Sequence, residues 1–130
     1  MKKMVFLSLA ILFLFPIMVN AAEPENMKIA VAANKKTEGA TVTTRAAKCP
    51  YFLIFDKNGE LIEVIDNPYK DAIRDAGTSA ANFLVQKDVD IIVAGSFGLK
   101  MIDALRSNGK IHFKFKGTVN DAVKKVLKLH

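Results

Sequence analysis

Tryptophan is absent from this chain of 130 residues, cysteine occurs once and histidine twice. A lone Cys49 excludes an internal disulfide. No CxxC or HxxH spacing is present, which excludes a closed structural zinc site. His112 and His130 are isolated, so no nucleophile–base–orienter set is available, and neither is given a functional role. Aromatic residues are not interleaved with arginine as a nucleic-acid platform requires, so no nucleic-acid partner is expected.

A long hydrophobic run stands at the N-terminus. Val5 to Phe15 is apolar but for Ser8, follows a cationic Met1-Lys2-Lys3-Met4 and is broken by Pro16. Val19-Asn20-Ala21 then supplies small residues where a signal peptidase reads them. These are the three parts of a secretory signal. The competing reading is a membrane anchor, but a spanning helix needs roughly 20 apolar residues, more than this interrupted run offers. Residues 1–22 are expected to be a cleavable signal peptide, 23–27 a flexible leader and 28–130 one domain, periplasmic or secreted, with no stable membrane span after cleavage. Without Lys2 and Lys3 the 19 basic residues fall to 17 against 13 acidic, a net of +4. The excess gathers at Lys110, Lys114, Lys116, Lys124, Lys125 and Lys128. Such a surface can meet nucleic acid, anionic lipid or a polyanionic cofactor, or can be a solvated face that aids solubility.

Along the domain, Lys28 to Ala33 reads as a buried strand and Asn34 to Thr44 as a loop or weakly paired edge. Tyr51 to Phe55 and Glu60 to Ile65 read as strands joined by a hairpin at Asn58-Gly59, and Asn67-Pro68 ends the second. The period then changes. Thr78 or Ser79 is the expected N-cap of a helix with Ala80, Phe83 and Leu84 on one face. Asp90 to Ala94 is a strand, and Gly95-Ser96-Phe97-Gly98 a tight turn into a helix marked by Met101, Ile102 and Leu105 and stopped at Asn108-Gly109. Ile111 to Phe115 is a fifth strand. Thr118 caps a last helix whose apolar positions are Val119, Ala122, Val123, Val126 and Leu127. The order βββ-α-β-α-β-α predicts an antiparallel meander followed by right-handed crossovers. The expected fold is α/β: a mixed five-stranded sheet with three helices, of the ribonuclease-H-like type. A nuclease on that scaffold needs clustered carboxylates for two metal ions. The first strand brings none, and the chain is read as a non-enzyme.

Several stretches then carry a resemblance: KIAVA, CPYFLIFD with its hairpin, Asn67-Pro68, Ala76-Gly77 before Ala80-Ala81, IVAGSFG before Met101-Ile102-Asp103-Ala104-Leu105, and Gly117-Thr118-Val119 before Ala122-Val123. In order and spacing the chain from Lys28 to Leu129 resembles the dinitrogenase iron–molybdenum cofactor biosynthesis family, the NifX/NafY-like domain. The resemblance implies the ribonuclease-H-like fold. It also implies a non-enzymatic carrier or scaffold for a metal–sulfur cofactor, some relatives holding a molybdenum–copper sulfide cluster. Many relatives carry a His-Phe-Gly-Arg-Ala segment before Pro-Tyr-Phe; here those positions read Arg45, Ala46, Ala47, Lys48 and Cys49. A second histidine, before the first helix, is replaced within Ile73-Arg74-Asp75-Ala76-Gly77.

What stands in place of the histidines is two cations and a thiol. Arg45 and Lys48 favour the thiolate of Cys49 by their charge, and a thiolate suits soft metals, with Met101 a second soft donor. The turns at Gly77-Thr78 and at Gly95, Phe97 and Gly98 lead into helix N-termini, which favour anions. The candidate site is therefore Cys49 and Met101 as metal ligands, with Arg45, Lys48, Gly77, Thr78, Gly95, Phe97 and Gly98 around a molybdenum-, iron- or copper-containing sulfide cluster or a soft metal ion. A metal or cofactor donor or acceptor protein is the implied partner. The bland alternative makes Cys49 and Met101 core residues and the glycines turn residues. A second functional reading is a protein-interaction module, linked as a dimer through Cys49.

Overall fold

The computed structural model describes residues 26–129. The signal segment, most of the leader and His130 lie outside the described residues. Five strands and three helices follow in the expected order. They are β1 (Ile29–Ala33), β2 (Tyr51–Phe55), β3 (Leu61–Asp66), α1 (Ala76–Gln86), β4 (Ile91–Ala94), α2 (Leu99–Ser107), β5 (Ile111–Lys114) and α3 (Val119–Leu129). The sheet order is β3-β2-β1-β4-β5. β2 lies antiparallel to β1 and to β3, while β4 lies parallel to β1 and to β5. This is the mixed sheet of the ribonuclease-H-like type.

β1 is the central strand, and every one of its residues is buried. A strand covered on both faces reads as a continuous apolar run, which is why Ile29 to Ala33 shows no alternation. Its side chains nonetheless divide by face. Ala30 and Ala32 join Phe52, Ile54, Ile92 and Ala94 beneath α1 and α2, where Ala80, Ala81, Leu84, Met101 and Leu105 meet them. Ile29, Val31 and Ala33 join Leu53, Phe55, Ile91 and Val93 beneath α3, whose Val119, Ala122, Val123 and Val126 close that side. The hairpin forms as Asn58-Gly59 predicts. Gly59 takes φ +82°, and the Asp56 carboxylate accepts from the N–H groups of Asn58 at 2.9 Å and Glu60 at 3.0 Å.

One expectation is corrected, the start of α1, which is Ala76; Thr78 and Ser79 lie inside its first turn and do not cap it. Asp75, in the left-handed region at φ 52°, turns the chain into the helix early, and its carbonyl accepts from Ser79 N–H at 2.9 Å. Asn34 to Thr44 is the expected weakly paired edge, joined by single bridges at Val42 to Ala33 and at Thr41 to Thr118, and an ordered turn follows it. Arg45 bridges Ser96, and Ala46–Lys48 form one turn of 3-10 helix.

Candidate anion-binding site

The sheet's topology brings three segments to one place: the 3-10 turn, the start of α1 and the start of α2. Each is pinned by a contact that its own sequence explains. Gly95 lets the end of β4 run against the Thr43-Thr44 backbone, since a Cβ there would sit 2.8 Å from Thr44 Cα. The N–H groups of Gly95 and Ser96 donate to the carbonyls of Thr43 and Thr44 at 2.9 and 2.6 Å. Gly77 lets the first turn of α1 approach that of α2, where a Cβ would lie 3.2 Å from Met101 N.

Asn67 holds the third segment. It is the buried polar residue of the fold. Its Nδ2 donates to the carbonyls of Ala47 and Cys49, both at 2.9 Å, and its Oδ1 accepts from Tyr69 N–H at 2.9 Å. The side chain thus ties the 3-10 turn to the loop leading toward α1. Lys48 Nζ adds a second tie by donating to the Ala72 carbonyl.

Between the three segments lies a groove of about 550 Å³. Of the residues expected to form a site, it is lined by Arg45, Lys48, Gly77, Phe97, Gly98 and Met101. It is completed by Ala46, Ala47, Ala76, Ser96, Leu99 and Lys100. Both helices that open onto it begin without a side-chain cap and without an acid in the first turn. The first N–H groups of a helix have no partner within it, and their summed dipole attracts negative charge. Arg45, Lys48 and Lys100 add three cations. Lys100 is held at 3.3 Å by Asp75, an exposed pair that contributes little to stability but sets the ammonium at the mouth. Phe97 forms a wall, with His112 edge-on to it at a centroid distance of 5.2 Å.

Cys49, Thr78 and Gly95 do not line the groove. The expectation of an exposed, activated thiolate is overturned. Cys49 is fully buried in the core beneath α1 and α2, and burial pushes its thiol up to about 12, beyond the lowering that its contact with Asn67 supplies. The physical reason lies in the 3-10 turn, which points Ala46 and Cys49 inward. A disulfide through this sulfur is excluded by the same burial. Met101 sits beneath the groove and is fully buried as well. Among the described residues no group of three or more His, Cys, Asp or Glu side chains could hold a metal ion. Among the described residues, the groove lining combines cations and helix N–H groups.

Sequence reasoning missed Lys100 and Asn67. Lys100 had a signal: a cation in the first turn of a helix opposes the dipole, and a residue that breaks a local rule points to function. Asn67-Pro68 signalled only a local turn, which the Tyr69 N–H bond fits; the clamp on Ala47 and Cys49, 20 and 18 residues away, had no local signal.

The chain matches the family described as dinitrogenase iron-molybdenum cofactor over residues 27–129. No curated protein matches at a significant level. Among solved structures, the apo form of the orange protein from Desulfovibrio gigas superposes with a TM-score of 0.72 at 25% identity, covering 79% of this chain and 88% of that one. A proposed NifB protein from Thermotoga gives 0.68 at 27% identity over 78% and 88%. A proposed dinitrogenase from Methanocaldococcus jannaschii shares the fold, with 0.55 at 17% identity over 79% and 89%.

Proposed function

The chain belongs to the dinitrogenase iron-molybdenum cofactor family, and from that premise we propose that it is a non-enzymatic carrier of a preformed anionic metal–sulfur cluster, acting outside the cytoplasm. The observation that carries this reading is the groove where two helix N-termini without side-chain caps meet Arg45, Lys48 and Lys100, the last paired with the Asp75 carboxylate. Its donor set suits a cluster taken as cargo. The cluster keeps its own metal–sulfur bonds, while N–H groups and cations meet its charge. The set does not suit a bare metal ion, which needs thiolate, imidazole or carboxylate ligands. The signal-like N-terminus supports an extracytoplasmic site of action, periplasmic or secreted.

A carrier needs a donor and an acceptor protein. Ile73 and Leu99, 96% and 79% exposed, flank the Asp75–Lys100 pair at the groove mouth and suit such docking. The same two residues favour the second reading, an interaction module that keeps the fold without a cargo.

Metal analysis and absorption spectra of the protein isolated from its native compartment test the proposal, beside titration with tetrathiomolybdate. A coloured, metal-containing protein, and binding that weakens about tenfold in Arg45→Gln and falls with salt, is the expected result. A colourless, metal-free protein that ignores thiomolybdate would leave the interaction module.

A further inference from the structure

The lysine-rich end of the chain takes no part in the groove. It lies on the opposite face of the sheet, where α3 packs over Ile29, Val31 and Val93. There a second recess, of about 660 Å³, is lined by Phe115, Asp121, Lys124, Lys125, Leu127 and Lys128. Its floor is apolar and held in place by two glycines. A Cβ at Gly117 would stand 3.0 Å from the Phe115 ring, and one at Gly59 would stand 3.0 Å from Leu127 Cδ1. Lys124, Lys125 and Lys128 are exposed and have no ion-pair or hydrogen-bond partner among the described residues. Leu129, 58% exposed, stands on the other flank of the lysine face from Leu127 and is not part of the recess.

The chemistry here differs from that of the groove. No open helix N-terminus faces this recess, because Thr118 Oγ1 accepts from Asp121 N–H at 3.2 Å. A compact inorganic anion would find no N–H cradle and would leave the apolar floor uncovered. The three ammonium groups are spread along about 6 Å of helix axis, which suits several separate phosphates better than one small ion. A single-stranded nucleic acid would need exposed aromatic rings or arginine to stack on, and the recess has neither, its one ring being half-buried. Phosphates arrayed over an apolar layer are the surface of a membrane. We propose that the α3 face docks onto an anionic phospholipid bilayer, Lys124, Lys125 and Lys128 meeting headgroup phosphates around the recess floored by Leu127 and Phe115. This surface is independent of the groove and of what the groove carries.

The test is co-sedimentation with vesicles of about one-third phosphatidylglycerol in phosphatidylcholine, using the protein as isolated from the cell with its N-terminus fixed by mass. The variant Lys124→Gln/Lys125→Gln/Lys128→Gln is measured in the same form. Binding at low salt, lost at high salt, and lowered at least about tenfold in the triple variant is the expected result. A charge-matched control, Lys70→Gln/Arg74→Gln/Arg106→Gln, should lower it less than about threefold. Equal thermal melts for the three proteins separate loss of docking from loss of fold. Equal binding to pure phosphatidylcholine would overturn the proposal, as would a triple variant no weaker than the control. Heparin or polyuridylate binding as tight as vesicle binding and equally lost in the triple variant would also overturn it, since the lysines would then serve any polyanion.

Discussion

The N-termini of α1 and α2 differ from that of α3 in the way their free N–H groups are treated. At α3, Thr118 caps the first turn and Asp121 adds an acid within it, so the helix dipole is answered by the chain itself. At α1 and α2 no side chain caps the helix, the first turns lack acids, and Lys100 stands where a carboxylate would be favourable. A side-chain cap is worth about 1 kcal/mol against alanine, though only a few tenths against the glycine that stands at the start of α2. Leaving two such caps out beside Arg45 and Lys48 keeps positive potential directed into one groove. The difference teaches that the first N–H groups of a helix can be closed by the chain itself or left open beside a groove, and that the neighbouring residues decide which. Asn67 and Gly95 belong to the same division. Both stabilise the fold chiefly by fixing the segments around the groove.

The largest effect is expected from Asn67→Leu, which keeps the branching of the side chain, replaces its amide with bulkier methyls and removes every side-chain hydrogen bond. The carbonyls of Ala47 and Cys49 and the N–H of Tyr69 would lose their partner. Buried groups left unpaired cost about 1–3 kcal/mol each, so urea unfolding should show a loss of about 3 kcal/mol. Thiomolybdate binding by the folded fraction should weaken too, because the turn carrying Arg45 and Lys48 loses its tie. A stability loss with unchanged binding would separate the clamp from the groove.

Gly98→Asp sharpens the contrast further, because its two effects have opposite signs. Gly98 occupies the N-cap position of α2 with φ −74° and ψ 156°, and a Cβ there meets nothing within 4 Å. An aspartate would cap the helix and raise stability by a few tenths of a kcal/mol, read by thermal melting. The same carboxylate would place a negative charge at the groove and weaken anion binding about tenfold or more, read by titration. Unchanged binding would show that the α2 terminus does not face the cargo.

Much of this was legible in the sequence, and the exceptions have a common cause. The strands and helices followed from periodicity and from local punctuation at Asn58-Gly59, Asn67-Pro68, Gly98 and Thr118. That Arg45, Lys48, Gly77 and Gly98 line one groove was legible as well, because cations and glycine turns before helices are local signals. Asp75, Asn67 and Cys49 were not. Asp75 starts α1 by adopting a left-handed conformation that no pattern announces, so Thr78 and Ser79 looked like the cap. Cys49 follows a polar loop and two cations, and sequence proximity suggested an activated thiolate. Its environment is set instead by residues distant in the chain, above all Asn67 and the core under α1 and α2.

A smaller effect is expected on the other side of the comparison. Thr118→Ala should lower stability by about 1 kcal/mol through loss of the α3 cap, and it should leave thiomolybdate binding unchanged. Any weakening of binding would mean that α3 communicates with the groove.

The smallest expected effect on binding is at Cys49. Cys49→Ala should bind thiomolybdate as the parent does, since the sulfur is enclosed and the proposed carrier holds its cargo by charge. In the native parent the thiol should resist alkylation at pH 8 and react readily once urea exposes it. The unfolded chain ionises this thiol near the ordinary value of 9.0, the folded one only near about 12. Its contribution therefore favours the fold fully below the lower value and is lost as pH rises through the higher one. Stability measured across that alkaline window should fall less in Cys49→Ala than in the parent. Rapid native alkylation, or a cargo lost with the sulfur, would place the thiol at the surface and return the site to direct metal–sulfur ligation.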